Sequence, residues 1–296
     1  MRFHPSEEQQ AIHDALRGTL ADNFPAERLR GFLDEEADFD RASWDALMAL
    51  GLGGLALPEA AGGSGLGLVD LAMAVEALGE GAAPGPLIQH LVAGLCLSRS
   101  SNEAAKAKWL AAVASGATVA TLAWGGKGRI ETWPVALDGD LVSGKVRFVV
   151  GARAAQLFVV GVAGGGLALV EAGPGVEIEP LRSSDRTRPL SSVSFEGVRA
   201  ELLFAPGDSA GAAIYDAALV LMAADALGGA QYCVDLSVGY AKEREQFGQP
   251  IGRFQALKHQ LATMALEVEP AHALLWYAGY AWDAGLADAS RAAALA

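Results

Sequence analysis

Polar side chains crowd into one short stretch, YAKEREQFGQPIGRFQALKHQLATM at 240–264, among them Arg244, Gln246, Gln255, Lys258 and His259. Their types suit an anionic ligand that also carries a ring. The Arg244 guanidinium can grip a diphosphate with paired N–H bonds, each charge-assisted contact contributing about 1.5–3 kcal/mol. Gln246 adds a donor two residues on, and Phe247 offers an apolar face to an adenine or flavin ring. Gly248 and Gly252 permit a tight bend, and Pro250 suits the first turn of a following helix. The competing reading is a plain turn between helices with Arg and Gln at its surface.

Elsewhere the chain offers little reactive chemistry. His4, His13, His90, His259 and His272 show no zinc-ligand spacing. Cys96 and Cys233 lie far apart, form no disulfide framework and read as small buried side chains, which fits a reducing, cytoplasmic setting. GGSGLG at 62–67 has no strand before it and no GK[ST] after it, so it reads as a helix connection rather than a phosphate loop. Trp276, Tyr277, Tyr280 and Trp282 recur at helical spacing, as bundle core or a subunit interface would. A net charge of −13 argues against a nucleic-acid partner but leaves room for a phosphorylated ligand held by a few local cations.

The elements that must position these residues follow from the hydrophobic period. At 296 residues, 52% hydrophobic and 19% charged, the chain can bury an ample core. MRFHPSEEQQAIHDAL has no apolar run of the signal-peptide type. The longest apolar stretch, LFVVGVAGGGLALV, is too short and too glycine-broken for a membrane span and reads as two strands joined by a turn. Three zones emerge, predicting an α+β multidomain fold. Residues 1–115 carry helical stripes, with Ser6 as an N-cap. Residues 116–206 switch to short β-branched runs, a small β-barrel or sandwich. Residues 207–296 return to helix: an unbroken run from Gly211 to about Glu243, then a second long helix with a kink expected at Pro270.

This order of zones, together with REQFGQPIGRFQ, FHPSEEQQAI, WDALMALGLGGLALPEAAGGSG and EALGEG, resembles the acyl-CoA dehydrogenase family over essentially the whole chain. The resemblance implies a flavoprotein that oxidises an acyl-CoA thioester to the 2,3-enoyl-CoA with FAD and passes electrons to an electron-transfer flavoprotein. It implies that Arg244, Gln246, Phe247 and Gln255 contact the ADP half of FAD across a subunit interface. Tyr215 and Asp216 match an aromatic–Asp pair that touches the pantetheine of CoA, although the Arg expected three residues after the Asp is Leu219.

Other family features are missing. The T-E-P-x-A-G-S-D loop is replaced by TLAWGGKGRIE, and the Trp-Ile-Thr or Trp-Ser-Thr triplet by Phe148, Val149 and Val150; Val150 cannot donate the Thr hydroxyl bond. The helical position for the catalytic Glu, 13 residues before Gln231, is Ala218. Asp216 lies two residues away, about 200° around a helix, and should point elsewhere. The alternative Glu follows a Q-x-x-G-G-x-G segment, and this chain ends at ASRAAALA without one, so the 207–296 bundle reads as incomplete beside the family. The expected function is therefore that of a subunit without its own base, assisting the FAD site of a partner dehydrogenase subunit. Some family members are heterotetramers of that kind and accept bulky acyl groups such as steroid side chains. The alternatives are a homomeric enzyme whose base lies in a further C-terminal segment, and a flavin-free scaffold of the same fold.

Overall fold

The first helix starts where Ser6 and Gln9 cap each other: the Gln9 amide donates to Ser6 Oγ at 3.1 Å and the Ser6 amide to Gln9 Oε1 at 2.8 Å. The computed structural model describes residues 5–32, 40–125 and 130–296. From this cap run α1 (Glu7–Asn23), α2 (Ala26–Gly31), α3 (Arg41–Ala49), α4 (Leu68–Glu80), α5 (Leu87–Arg99) and α6 (Glu103–Ala114). The short α2 carries no clear apolar stripe and escaped the sequence pattern. Helix α4 is apolar on almost every face because it is buried on almost every face.

Eight strands follow: β1 (Ala120–Ala123), β2 (Ala136–Asp138), β3 (Leu141–Val150), β4 (Leu157–Val162), β5 (Gly166–Glu171), β6 (Val176–Pro180), β7 (Leu190–Arg199) and β8 (Glu201–Phe204). They form two four-stranded sheets, ordered β1-β4-β5-β8 and β2-β3-β7-β6. Side chains of the first sheet divide by the period of two. Leu157, Val159, Leu167 and Leu169 join the helical core, while Phe158, Val160, Ala168 and Val170 pack with Val146, Val193 and Phe195 of the second sheet. LFVVGV is continuously apolar because β4 is buried on both faces. The expected barrel or sandwich is thus a sandwich, its first sheet backed by helices. The brief β2 and β8 were not distinguished in the sequence.

Helix α7 (Ser209–Glu243) crosses α4 at two glycines. A Cβ on Gly79 would fall inside the Asp225 carbonyl, and one on Gly228 inside the Glu76 carbonyl. Long and apolar enough to pass for a membrane span, α7 instead packs against α4, α5, α8 (Gln255–Asp283) and α9 (Ala289–Leu295) as a core helix. Helix α8 starts five residues beyond Pro250, not at it, and continues through Pro270 without a break. Its far end caps α4, since Asp283 accepts from the Leu68 and Val69 amides at 2.8 and 3.1 Å. Arg188, in the β6–β7 connection, grips Asp225 of α7 with bonds of 2.5 and 2.7 Å and donates to the Ala83 carbonyl.

Fully buried His90 ties β1 to the helices. Its Nε2 lies 2.9 Å from the Val113 carbonyl, and Nδ1 accepts from the Ala120 amide at 3.1 Å, which fixes one neutral tautomer. Burial pushes its pKa down to about 4, against a smaller upward pull from the Val113 bond.

Candidate functional site

Helix α7 ends because Arg244 turns to an extended conformation, φ −70° and ψ 124°. Its amide still bonds the Tyr240 carbonyl at 2.8 Å, and its carbonyl accepts from the Ile251 amide at 2.7 Å. Between these two bonds the chain makes a miniature hairpin, β9 (Glu245–Gln246) and β10 (Gln249–Pro250), pairing Gln246 with Gln249 and Glu245 with Pro250. Pro250 therefore pairs in the hairpin and also caps a short 3-10 turn, Ile251–Arg253, that leads to α8. The turn residues Phe247 and Gly248 both have positive φ, 54° and 76°, as a type I′ turn demands. Glycine accepts that conformation readily, whereas phenylalanine does so at a cost.

The Phe247 ring is 92% exposed and meets Phe254 edge-on at 6.0 Å. Arg244, Gln246 and Gln255 are all exposed, and none makes a side-chain hydrogen bond or ion pair among the described residues. Gln255 opens α8, whose N-terminus no side chain caps. An uncapped helix start beside an unpaired guanidinium is an anion-binding arrangement. Lys258 and His259, also exposed, stand on the same first turns. Arg244, Gln246, Phe247 and Gln255 thus lie on the hairpin and the two helix ends that it joins, all exposed.

Tyr215 and Asp216 sit near the other end of α7. Between them and Arg244 run about 28 residues of helix, about 42 Å at 1.5 Å per residue. Tyr215 is half-buried against Trp124 and Trp133, with ring centroids 6.0 and 6.3 Å away; the two indoles stack at 5.4 Å. Trp133 can approach because Gly161 of β4 lies beneath it, where a Cβ would enter the indole ring. Asp216 accepts from Ser290 of α9 at 3.2 Å, and burial raises its pKa against the lowering effect of that bond. Ala218 is 4% exposed in the apolar core. The aromatic trio was not anticipated; the usable signal was Trp124, within the substituted loop. Residues Gly126–Arg129 of that loop, like His4, lie outside the described residues.

Phe148 is 62% exposed with φ of 67°, where the β3–β7 register slips between Val146 and Val149. The Arg147 guanidinium lies 5.0 Å from its ring centroid. The neighbouring Val150 carbonyl accepts the Thr121 hydroxyl at 2.7 Å, so this nearby hydroxyl is already engaged within the protein. Among the described residues no group of three His, Cys, Asp or Glu could hold a metal ion.

Comparison with known proteins joins these features. Residues 6–117 match the family model of the acyl-CoA dehydrogenase N-terminal domain, and residues 217–296 that of the C-terminal domain. Acyl-CoA dehydrogenase FadE34 of Mycobacterium tuberculosis is 33% identical over 98% of this chain, which spans 38% of that relative's length. Acyl-CoA dehydrogenase IpdE2 of the same organism is 30% identical over 92% of this chain and 75% of its own. A solved variant of the Tcur3481–Tcur3483 steroid ACAD superposes with a TM-score of 0.88, at 33% identity, covering 97% of this chain and 81% of the solved one.

Proposed function

Because this chain belongs to the acyl-CoA dehydrogenase family, we propose that it is a subunit of a hetero-oligomeric, FAD-dependent enzyme that oxidises an acyl-CoA thioester to the 2,3-enoyl-CoA. In this reading it completes the FAD site of a partner subunit and supplies no catalytic base of its own. The observation that carries the reading is the separation along α7. Arg244, Gln246, Phe247 and Gln255 are exposed at one end, about 42 Å of helix away from Tyr215 and Asp216, the pair that the resemblance directs at CoA. Sets so far apart are read as serving two sites, the exposed set that of a second chain.

The residues present fit the ADP half of FAD. Arg244 would hold the diphosphate through paired N–H bonds, helped by the α8 N-terminus, with Gln246 and Gln255 as further donors. Phe247 would cover a ring face. Bound FAD supplies the hydride acceptor for oxidation at Cβ, and a carboxylate must take the proton from Cα. At this chain's own helical position for that carboxylate stands buried, apolar Ala218, so the base would come from the partner. The names of relatives agree with such a division of labour: the Tcur3481–Tcur3483 neighbour is a steroid ACAD of two named components. A bulky acyl-CoA is the substrate class, and an electron-transfer flavoprotein the acceptor.

The test is FAD titration into the assembled, co-expressed complex. Arg244→Ala should weaken FAD by about 30-fold, equivalent to about 2 kcal/mol, with Arg244→Lys recovering only part because an ammonium cannot make the paired contact. Unchanged affinity and turnover in Arg244→Ala would end the proposal.

A further inference from the structure

Away from this site, three helices meet around a cavity of about 420 Å³ lined by none of the flavin- or CoA-directed residues. Its polar wall is ionic. From α1, His13 Nε2 lies 3.2 Å from Glu80 Oε1 of α4, and Arg17 Nε lies 2.9 Å from Glu80 Oε2. From α8, His272 Nδ1 lies 3.2 Å from Glu76 Oε1 of α4, an ion-pair contact off the line of a hydrogen bond. Glu269 of α8 faces the same cavity, and exposed Asp14 stands 3.7 Å from His13 Nδ1. Both imidazoles and both α4 carboxylates are well covered, with side chains 9–17% exposed, so water screens them weakly.

The charge balance depends on the imidazoles. With both neutral, Glu76, Glu80 and Glu269 face one cation, Arg17, which is 57% exposed. With both charged, the three glutamates face three cations, with exposed Asp14 as a fourth acid beside His13. We propose that His13 and His272 form a pH-operated latch: charged, they hold α1 and α8 against α4; uncharged, they leave the three glutamates to repel one another and loosen both helices. Each histidine's pKa is raised above 6.5, for His13 chiefly by Glu80 and for His272 chiefly by Glu76. The latch therefore contributes fully below pH 6.5 and is lost as pH rises through the folded-state pKa values. Release would be local. Asp283 still caps α4 at the far end of α8, and α8 lacks one backbone donor at Pro270, two residues before the latch.

Linkage sets the size: above pH 6.5, each histidine lowers the folded-to-unfolded ratio up to tenfold per pH unit until its folded pKa is passed. The experiment is histidine NMR titration of the whole chain, alone and in complex, paired with amide-exchange protection factors at pH 6 and 8.5. The His13 and His272 resonances should titrate above 6.5, falling in Glu80→Gln and Glu76→Gln respectively. Protection in α1 and in residues 269–276 should drop at pH 8.5 while β3 and β7 keep theirs. Titration at or below 6.5 in the unaltered protein would overturn the latch, as would an unchanged alkaline loss of stability in the His13→Gln/His272→Gln variant. Neither result bears on the flavin assignment, which rests on other residues.

Discussion

His90→Phe removes a side chain that answers two buried backbone groups at once, the Val113 carbonyl and the Ala120 amide. Each group left unsatisfied costs about 1–3 kcal/mol, so the variant should lose about 2–6 kcal/mol at pH 7 even though the phenyl ring fills the volume beside Trp44. The pH dependence gives a sharper test. The folded-state pKa of His90 is about 4, below its ordinary 6.5. Between these values the unfolded chain binds a proton that the folded chain refuses, so stability is present above pH 6.5 and drains as pH falls toward 4. At 1.36 kcal/mol per pH unit, the drain reaches about 3 kcal/mol. His90→Phe lacks it. Urea unfolding of both proteins at half-unit steps from pH 7.5 to 4.5 should show the gap between them narrowing by most of that amount. The carboxylates are common to both proteins, so their contributions cancel. A gap that stays constant would mean that His90 is protonated in the folded state, and the neutral pin between helices and sheet would have to be discarded.

The Arg188–Asp225 pair predicts coupling. Asp225→Asn should cost about 2 kcal/mol in chemical denaturation, and the double variant Arg188→Leu/Asp225→Leu should cost less than the sum of its single changes. Two adjacent glycines in α7 should behave oppositely. Gly228→Ala must part α7 from the α4 backbone, at about 3 kcal/mol or with failure to fold, while Gly229→Ala meets only Gly79 O at 3.8 Å and should gain up to about 1 kcal/mol from helix propensity; thermal melts compare them. Phe247→Asn should leave the isolated chain as stable or a few tenths of a kcal/mol more so, since Asn tolerates positive φ, while weakening FAD in the assembled complex.

The order of helices, strands and helices was legible because the hydrophobic period changes with it: SEEQQAIHDAL and VDLAMAVEAL carry the helical repeat, and LFVVGV followed by GLALV carries the strand repeat. The Ser6 cap was legible for the same local reason. What escaped was set by distant partners. Asp283 gives no hint in the sequence that it caps a helix some 215 residues earlier. Gly79 and Gly228 read as two of 36 glycines until α4 and α7 are seen to cross there. Pro250 looked like the start of the second long helix because proline favours that position, but it pairs in the hairpin and precedes only a 3-10 turn, with the long helix starting at Gln255. Around the candidate site, Arg244, Gln246, Phe247 and Gln255 could be grouped from the sequence because they fall within one short stretch of it. The Trp124–Trp133–Tyr215 trio was not, because its members come from three separate elements.

The exposed side chains of the hairpin bear on what the proposed partner must do. The inner half of α7 is packed on several sides, but Tyr232, Leu236 and Tyr240, spaced four apart on one face of its outer half, are 51–58% exposed. Leu266 of α8 is 73% exposed and Phe247 at the tip 92%. Single apolar side chains on a surface need no explanation, but a run of them along one pair of helices calls for a cover. That pair also carries Arg244, Gln246 and Gln255. Under the proposed function, the same docking event that removes the tyrosine–leucine stripe from water brings the Arg244 guanidinium to a diphosphate. Recognition of the partner and completion of its flavin site are then one equilibrium. A change confined to the stripe, such as Leu236→Asp, should lower apparent FAD affinity in the mixture of subunits without touching any flavin-directed residue, and excess partner should restore it by mass action. If FAD affinity stays unchanged while the complex dissociates on a sizing column, the flavin does not depend on this chain, and the assignment of Arg244 to a partner's site fails with it.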